Sequence, residues 1–423
     1  MSLDSSPEGR CENDQPASPS GEARARACGA SFDPIDADNH YYEKLDAFTR
    51  YLDPKFKQRG VQVMSDGRHT QLVMGGRLNR FVPNPTFDPI IVPGCIDALF
   101  RGQIPEGVDP RSLMQVEPLE QHPEYQDRDA RVAVAERQGL DAALLFPTLG
   151  CGVEEALKHD VAATMASLSA FNRWLEEDWG FVYQHRIVTA PMISLADPAA
   201  ALAELDSVID RGARIVHIRP APVPGEHGSS RSLGDKRHDP VWARLAEASI
   251  PVAFHLGDSG YNAFFAAAWG GRDTFGFGNS DALGQVIVAD RAIHDTVASL
   301  VVHGVFTRHP TLRVASIENG SDWVALLVKR LKKQANQTPW VFEEDPVETV
   351  RRNVWVTPYY EDDIRALADV LGVERILFGS DWPHGEGLAE PTHFVKELHA
   401  FDENELRKIM RDNCLDLLGV DAL

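Results

Sequence analysis

Residues 375–384 read Arg-Ile-Leu-Phe-Gly-Ser-Asp-Trp-Pro-His. An apolar run that stops abruptly at a carboxylate is the pattern of a strand covered on both faces. Such a strand delivers its acid, here Asp381, at its C-terminal end, where parallel barrels gather their working groups. Seven more apolar, often β-branched runs lie upstream, over 34–40, 142–146, 187–195, 214–219, 251–255, 312–318 and 353–358. From about residue 140 onward they alternate with helical stretches, which predicts parallel pairing through crossover helices.

The helix punctuation agrees. Asp197-Pro198 and Asp239-Pro240 each place an N-cap acid before an N1 proline, opening helices over 199–209 and 241–248. Gly372 stands where a helix over 363–371 wants a left-handed C′ residue, and Asp402 with Glu405 makes a capping-box start for the last helix. Eight such strands predict an α/β fold, a (β/α)8 TIM barrel with an insertion between strands 1 and 2. A doubly wound open sheet is the structural alternative, but no Gly-rich phosphate loop follows the first strand. The expected layout is a disordered tail over 1–30, rich in Ser, Pro, Gly, Glu and Arg, and a barrel domain over 31–423. The insertion, 44–139, carries a hairpin over 70–82 turning near Gly75-Gly76 and a Pro-rich run over 83–94. A loop over 257–281 holds Tyr261, Phe264, Phe265, Trp269, Phe275 and Phe277, as a lid, a subunit interface or local packing.

The chain is 43% hydrophobic and 25% charged, the composition of a soluble globular protein. No stretch approaches the roughly 20 apolar residues of a membrane span, and the N-terminus lacks the apolar region of a secretory signal. A formal charge of −21 excludes nucleic acid and anionic membranes as natural partners, while a small anionic substrate could still meet local arginines. The cysteines, Cys11, Cys28, Cys95, Cys151 and Cys414, are odd in number and scattered, which fits reduced thiols in a cytoplasmic protein.

The first strand reads Ile35-Asp36-Ala37-Asp38-Asn39-His40. Alternation puts Asp36, Asp38 and His40 on one face, and three inward polar residues are costly unless something binds them. A divalent cation at the barrel mouth would satisfy them. His255 ends the fifth strand after Val252-Ala253-Phe254, and Asp381 ends the eighth. Either alone reads as a structural histidine or a turn cap, with Ser380 as an alternative cap. Strands one, five and eight converge on one mouth, however, and two imidazoles with two carboxylates there make a mixed N/O site for zinc, with iron or manganese as alternatives.

These motifs resemble the amidohydrolase superfamily, in the branch related to aminocarboxymuconate semialdehyde decarboxylase and benzoate-type decarboxylases. The resemblance covers roughly 34–420 and is most specific in Phe-Gly-Ser-Asp-Trp-Pro-His over 378–384 and in the segment 304–314. That branch carries D-x-H-x-H on the first strand, a metal histidine on the fifth, a catalytic histidine on the sixth and an aspartate on the eighth. The resemblance implies metal ligation by Asp38, His40, His255 and Asp381. It departs twice. Asp38 replaces the first metal histidine, which moves preference toward iron or manganese, and Glu318, in Ile317-Glu318-Asn319-Gly320, stands where the sixth-strand histidine belongs.

The fourth strand, Ile215-Val216-His217-Ile218-Arg219-Pro220, has no lysine, which disfavours a site bridged by a carbamylated lysine. His217 and Arg219 share a face, one reaching the site and the other pinning a substrate carboxylate, or else both are structural. Arg77 and Arg80 on the hairpin and His384 beyond the eighth strand are further pocket candidates, whereas His303 and His309 read as structural. The pattern fits a metal-dependent hydrolase or decarboxylase for a small carboxylate-bearing substrate. Asp381 is ligand and proton acceptor, Glu318 or His217 assists, and Arg219 and His384 contact substrate. One alternative is a subunit of an iron or manganese oxygenase, as in the amidohydrolase-like subunits of 2-aminoisobutyrate hydroxylase. Another is a non-catalytic, metal-holding paralogue supporting an active partner. A homo-oligomer, or a hetero-oligomer with a paralogous subunit, is expected.

Overall fold

The computed structural model describes residues 32–225, 228–276 and 281–423. The tail expected over 1–30 and Phe277 lie outside them. Seven parallel strands carry the architecture: β1 (Ile35–Tyr41), β2 (Ala142–Pro147), β3 (Ile187–Thr189), β4 (Val216–His217), β5 (Val252–His255), β6 (Val314–Ile317) and β7 (Val354–Val356). Every residue in them is buried, the polar Asp36, Asp38, Asn39 and His40 of β1 included. β1, β2 and β3 pair in that order, and β4 to β7 pair in theirs. Isolated parallel bridges join Met192 to His217, Val356 to Ile376 and Asn39 to Trp382, so pairing passes from each set to the other.

The expected eighth strand shrinks to the bridge at Ile376. Its backbone still bonds to both neighbours, Leu377 N–H to the Val356 carbonyl (2.9 Å) and Ala37 N–H to the Phe378 carbonyl (2.8 Å). The ladder then breaks at Asp381, whose φ of +56° no strand residue adopts. The run over 187–195 is cut to β3 for a different reason: Pro191 has no N–H to donate.

Side chains sort by alternation. Ile35, Ala142, Val188, Ala253, Ala315 and Leu377, each from a different strand or strand remnant, meet in one buried cluster against Leu415 and Leu418 of the C-terminal helix Asn413–Leu418. Their neighbours Leu145, Ile187, Val216, Val252 and Val314 face the other way, into a larger cluster with helix residues such as Leu168, Leu205 and Leu245. The fold is mixed α/β.

Among the helix signals, Asp197 caps Pro198–Asp210 by accepting from Ala199 and Ala200, and Asp402 with Glu405 forms the capping box. Two expectations fail. Asp239 is the first residue of the helix Asp239–Glu247 rather than its cap, because its carboxylate is held by Arg308 at 2.7 and 2.9 Å. Gly372 has φ +97° but ψ 142°, a glycine conformation outside the left-handed helical region. In the stretch 44–139, Thr70–Met74 turns through Gly75-Gly76 into Arg77–Leu78, both glycines at positive φ as a tight hairpin turn demands. A third strand, Val61–Ser65, pairs on the other side and went unread in the sequence. Exposed Arg77 and Arg80 sit on this hairpin.

Candidate metal centre

β1 and β5 are not paired with each other, but each brings a histidine near its C-terminal end and the two rings meet. His40 Nε2 and His255 Nε2 lie 3.1 Å apart. Around them stand three carboxylates. Asp38 Oδ1 is 3.6 Å from His40 and 3.4 Å from His255, Glu318 Oε2 is 3.6 and 3.2 Å from them, and Asp381 Oδ1 is 3.4 Å from His40. Donors about 2.0–2.2 Å from one divalent ion lie about 3.0–3.5 Å from each other. The separations among Asp38, His40, His255 and Glu318 therefore fit a single ion, and Asp381 falls in a second, overlapping group with His40, Glu318 and His384. Asp38 Oδ1 is fully buried and without a hydrogen-bond partner, which is the state of an atom waiting for a cation.

Each imidazole is turned by what its other nitrogen touches. His255 Nδ1 lies 2.8 Å from the Leu256 carbonyl, so it carries a proton and points Nε2 toward the cluster. Thr148 Oγ1 donates to the Tyr41 carbonyl at 3.0 Å. Its lone pairs are then left to accept from His384 Nε2 at 3.2 Å and His40 Nδ1 at 3.5 Å. The remaining nitrogen of His384 lies 2.6 Å from Asp381 Oδ1, and its ring stacks on His40 with centroids 4.2 Å apart.

The backbone at two of the carboxylates is strained. Glu318 and Asp381 hold φ of +55° and +56°, left-handed values that non-glycine residues rarely adopt and that cluster at working sites. Charge is strained as well. Burial raises the Glu318 carboxyl well above its usual range, with Asp381 adding to it. Burial likewise lifts Asp381, to about 8. Burial would raise Asp38 too, but the neighbouring His255 and His40 rings hold it down at about 2. Three carboxylates packed this closely do not ionise together without a positive charge among them.

The sequence expectation of one inward face on β1 needs correcting at Asp36. A register shift falls between Asp36 and Asn39, and the Asp36 carboxylate turns to protein donors on Asp38, Asn39 and Ser380 instead of the cluster. His217, 2% exposed, has neither ring nitrogen hydrogen-bonded, and its ring packs edge-on to His255 with centroids 6.1 Å apart. Arg219 is ion-paired, its guanidinium 2.6 Å from Glu155 and 3.9 Å from Glu154, while its buried Nε has no hydrogen-bond partner. Arg77 and Arg80 lie outside the cluster. His303 bonds Ser232 at 2.8 Å and His309 approaches Asp239 at 3.7 Å, both away from it.

Glu43 was missed. It is 1% exposed, and its two oxygens accept the N–H groups of Leu149 (3.0 Å) and Gly150 (2.9 Å), fixing the turn that presents Thr148. A glutamate three residues past a metal-type histidine was the available signal. Glu43→Ala is expected to destabilise the protein by about 2–4 kcal/mol, since two buried N–H groups lose their acceptor. Guanidinium unfolding checks this, and an unchanged midpoint would show that water replaces the carboxylate freely.

Parallel strand ends that gather histidines and carboxylates into two overlapping donor groups define a divalent-metal enzyme of the hydrolase or lyase kind. The chain belongs to the amidohydrolase family, whose model matches residues 35–420. It is similar in structure to an amidohydrolase from Mycobacterium avium subsp. paratuberculosis K-10, at 64% identity and TM-score 0.89, covering 92% of this chain and 99% of that one. A 2-amino-3-carboxymuconate-6-semialdehyde decarboxylase of Dictyostelium discoideum is 24% identical over 131 residues, 30% of this chain and 36% of that protein. The match thus spans about a third of that relative's length. A dihydroxybenzoic acid decarboxylase from Polaromonas sp. JS666, with bound manganese and 2-nitroresorcinol, shares the fold at 15% identity and TM-score 0.56, covering 78% of this chain and 94% of that one. No helix among the described residues is long and apolar enough to cross a membrane.

Proposed function

We propose that this protein is a metal-dependent decarboxylase or hydrolase of a small carboxylate-bearing substrate, built on a (β/α)8 barrel with 44–139 inserted after its first strand. The continuity of parallel pairing through the three isolated bridges, and the single apolar cluster fed by every strand, support the barrel. Asp38, His40, His255 and Asp381 hold the ion, with Glu318 at its side. The observation that carries the reading is the orphaned Asp38 Oδ1, buried beside two imidazoles whose Nε2 atoms lie 3.4 and 3.6 Å from it. The hard, carboxylate-rich donor set suits zinc, iron or manganese, and manganese is the ion bound in the Polaromonas relative. A bound divalent ion polarises a substrate oxygen or lowers the pKa of water.

The chain's own groups do the rest. Asp381 is the donor that meets solvent, its side chain 14% exposed against 5% for Asp38 and 8% for Glu318, so substrate approaches past it. With His384 2.6 Å from its Oδ1 it is placed to take and pass a proton. His217, with two unsatisfied nitrogens, donates to or accepts from the bound substrate. The substrate carboxylate is not anchored by Arg219, which Glu155 already neutralises. A second reading, oxygen chemistry at iron or manganese, rests on Glu318 replacing a histidine with a hard ligand. The solvent-facing aromatics Phe264 and Trp269 (75% exposed) are the surface we assign to assembly with a second subunit.

The test is elemental analysis of the purified protein, followed by turnover of a panel of hydroxybenzoates, unsaturated acids, amides and lactones. About one zinc, iron or manganese ion per chain with carbon dioxide release supports the decarboxylase. Oxygen uptake with an electron donor moves the assignment to the second reading. A folded protein that takes up none of the three metals sinks both.

A further inference from the structure

We infer that Asp36 is a positioning residue that sets the distance between the two carboxylates Asp38 and Asp381 by holding both of their backbone segments in one four-donor knot. The inference rests on the metal reading above and concerns residues that do not touch the ion. Regular pairing cannot do this work. β1 changes register between Asp36 and Asn39, and the facing segment bulges where Asp381 takes its left-handed φ. Between the Ala37–Phe378 bond and the Asn39–Trp382 bridge, the backbone contacts are slanted, Asp381 N–H and Ser380 N–H both reaching the Asp38 carbonyl at 2.9 and 3.3 Å. Gly379 brings the two backbones so close that a Cβ there would lie 2.6 Å from Asp38 Cβ.

The Asp36 side chain closes this gap from behind. Its Oδ1 accepts the Asp38 N–H at 3.1 Å and the Ser380 N–H at 3.0 Å. Its Oδ2 accepts the Ser380 hydroxyl at 2.6 Å and the Asn39 amide at 2.9 Å. Two donors thus come from β1 and two from the residue directly before Asp381. Four donors use every lone-pair direction of a carboxylate, so nothing is left for a metal. The knot is braced in turn: Asn39 Oδ1 accepts from Arg131 at 2.5 Å, and the buried Arg131 guanidinium lies 4.4 Å over the Trp382 ring, one residue past Asp381. A buried, fully connected polar network of this kind specifies one geometry, and partners behind ligands tune metal sites.

Asp36→Asn and Ser380→Ala test this with cobalt(II) as the probe. Asparagine keeps the shape but turns an N–H pair toward two donors, whereas alanine removes one donor and leaves the carboxylate. We expect cobalt affinity to fall about 10–100-fold in Asp36→Asn and less in Ser380→Ala, the double variant matching Asp36→Asn alone. The visible absorption of bound cobalt, which reports ligand geometry, is expected to shift in both single variants. A merely structural Asp36 lowers the unfolding midpoint of the metal-free protein and leaves the cobalt spectrum and affinity at wild-type values, and that result overturns the inference. Should Asp36→Asn fail to fold, Ser380→Ala with unchanged affinity and spectrum overturns it equally. Wild type that binds no cobalt sinks the metal reading itself, a distinct outcome.

Discussion

His255→Ala is expected to empty the site, lowering metal affinity by more than the roughly 10–100-fold that follows loss of a residue behind a ligand. His255 Nε2 is the shared neighbour of three other donors, at 3.1 Å from His40, 3.2 Å from Glu318 and 3.4 Å from Asp38. Without it a cation keeps one imidazole and a set of carboxylates too close to ionise together. Asp38 loses one of the two rings that hold its carboxyl down at about 2. The ring is 2% exposed and packs on Phe146 with centroids 4.9 Å apart, so the truncation also opens a polar hole that water fills. Asp38→Ala is expected to act in the same direction, because its Oδ1 has no role in the protein's own hydrogen bonding. Equilibrium dialysis and elemental analysis read both variants. Stoichiometric metal at wild-type affinity in either one would mean that the ion is held elsewhere.

Much of this was legible in sequence, for an identifiable reason. A strand buried on both faces can be read from its own residues, and a polar group at its end announces itself by interrupting an apolar run, as His255 and Asp381 do. The hairpin at Gly75-Gly76 and the capping box at Asp402 were equally local. What escaped depends on partners distant in the chain. Asp36 looked like a third ligand by alternation, yet the bulge in β1 and Ser380, 344 positions away, decide its direction. Thr148 and Glu43 matter through contacts spanning about a hundred residues. Arg219 offered the right chemistry for a substrate carboxylate, and only the fold reveals Glu154 and Glu155 beside it. Left-handed backbone at Glu318 and Asp381 has no sequence signature, since neither is glycine or asparagine.

Asp381→Asn is expected to separate holding the ion from doing the chemistry. The amide keeps one oxygen where Asp381 Oδ1 stands, 3.4 Å from His40 Nε2, and Asp38, His40, His255 and Glu318 still surround the ion. Metal is therefore retained at reduced affinity. The lost property is proton acceptance. An amide cannot take a proton, even though its oxygen can keep the 2.6 Å contact to His384. Removing a positioned acid–base group lowers turnover by about 10²–10⁴-fold, and that is the expected fall in kcat, measured at saturating metal and substrate. Asp381→Ala removes the ligand oxygen as well and is expected to lose turnover and most of the metal together. Full activity in Asp381→Ala rules the scheme out. Full activity in Asp381→Asn alone moves the proton acceptor to Glu318, the other carboxylate whose basicity burial raises, and makes Glu318→Gln the variant that must be dead.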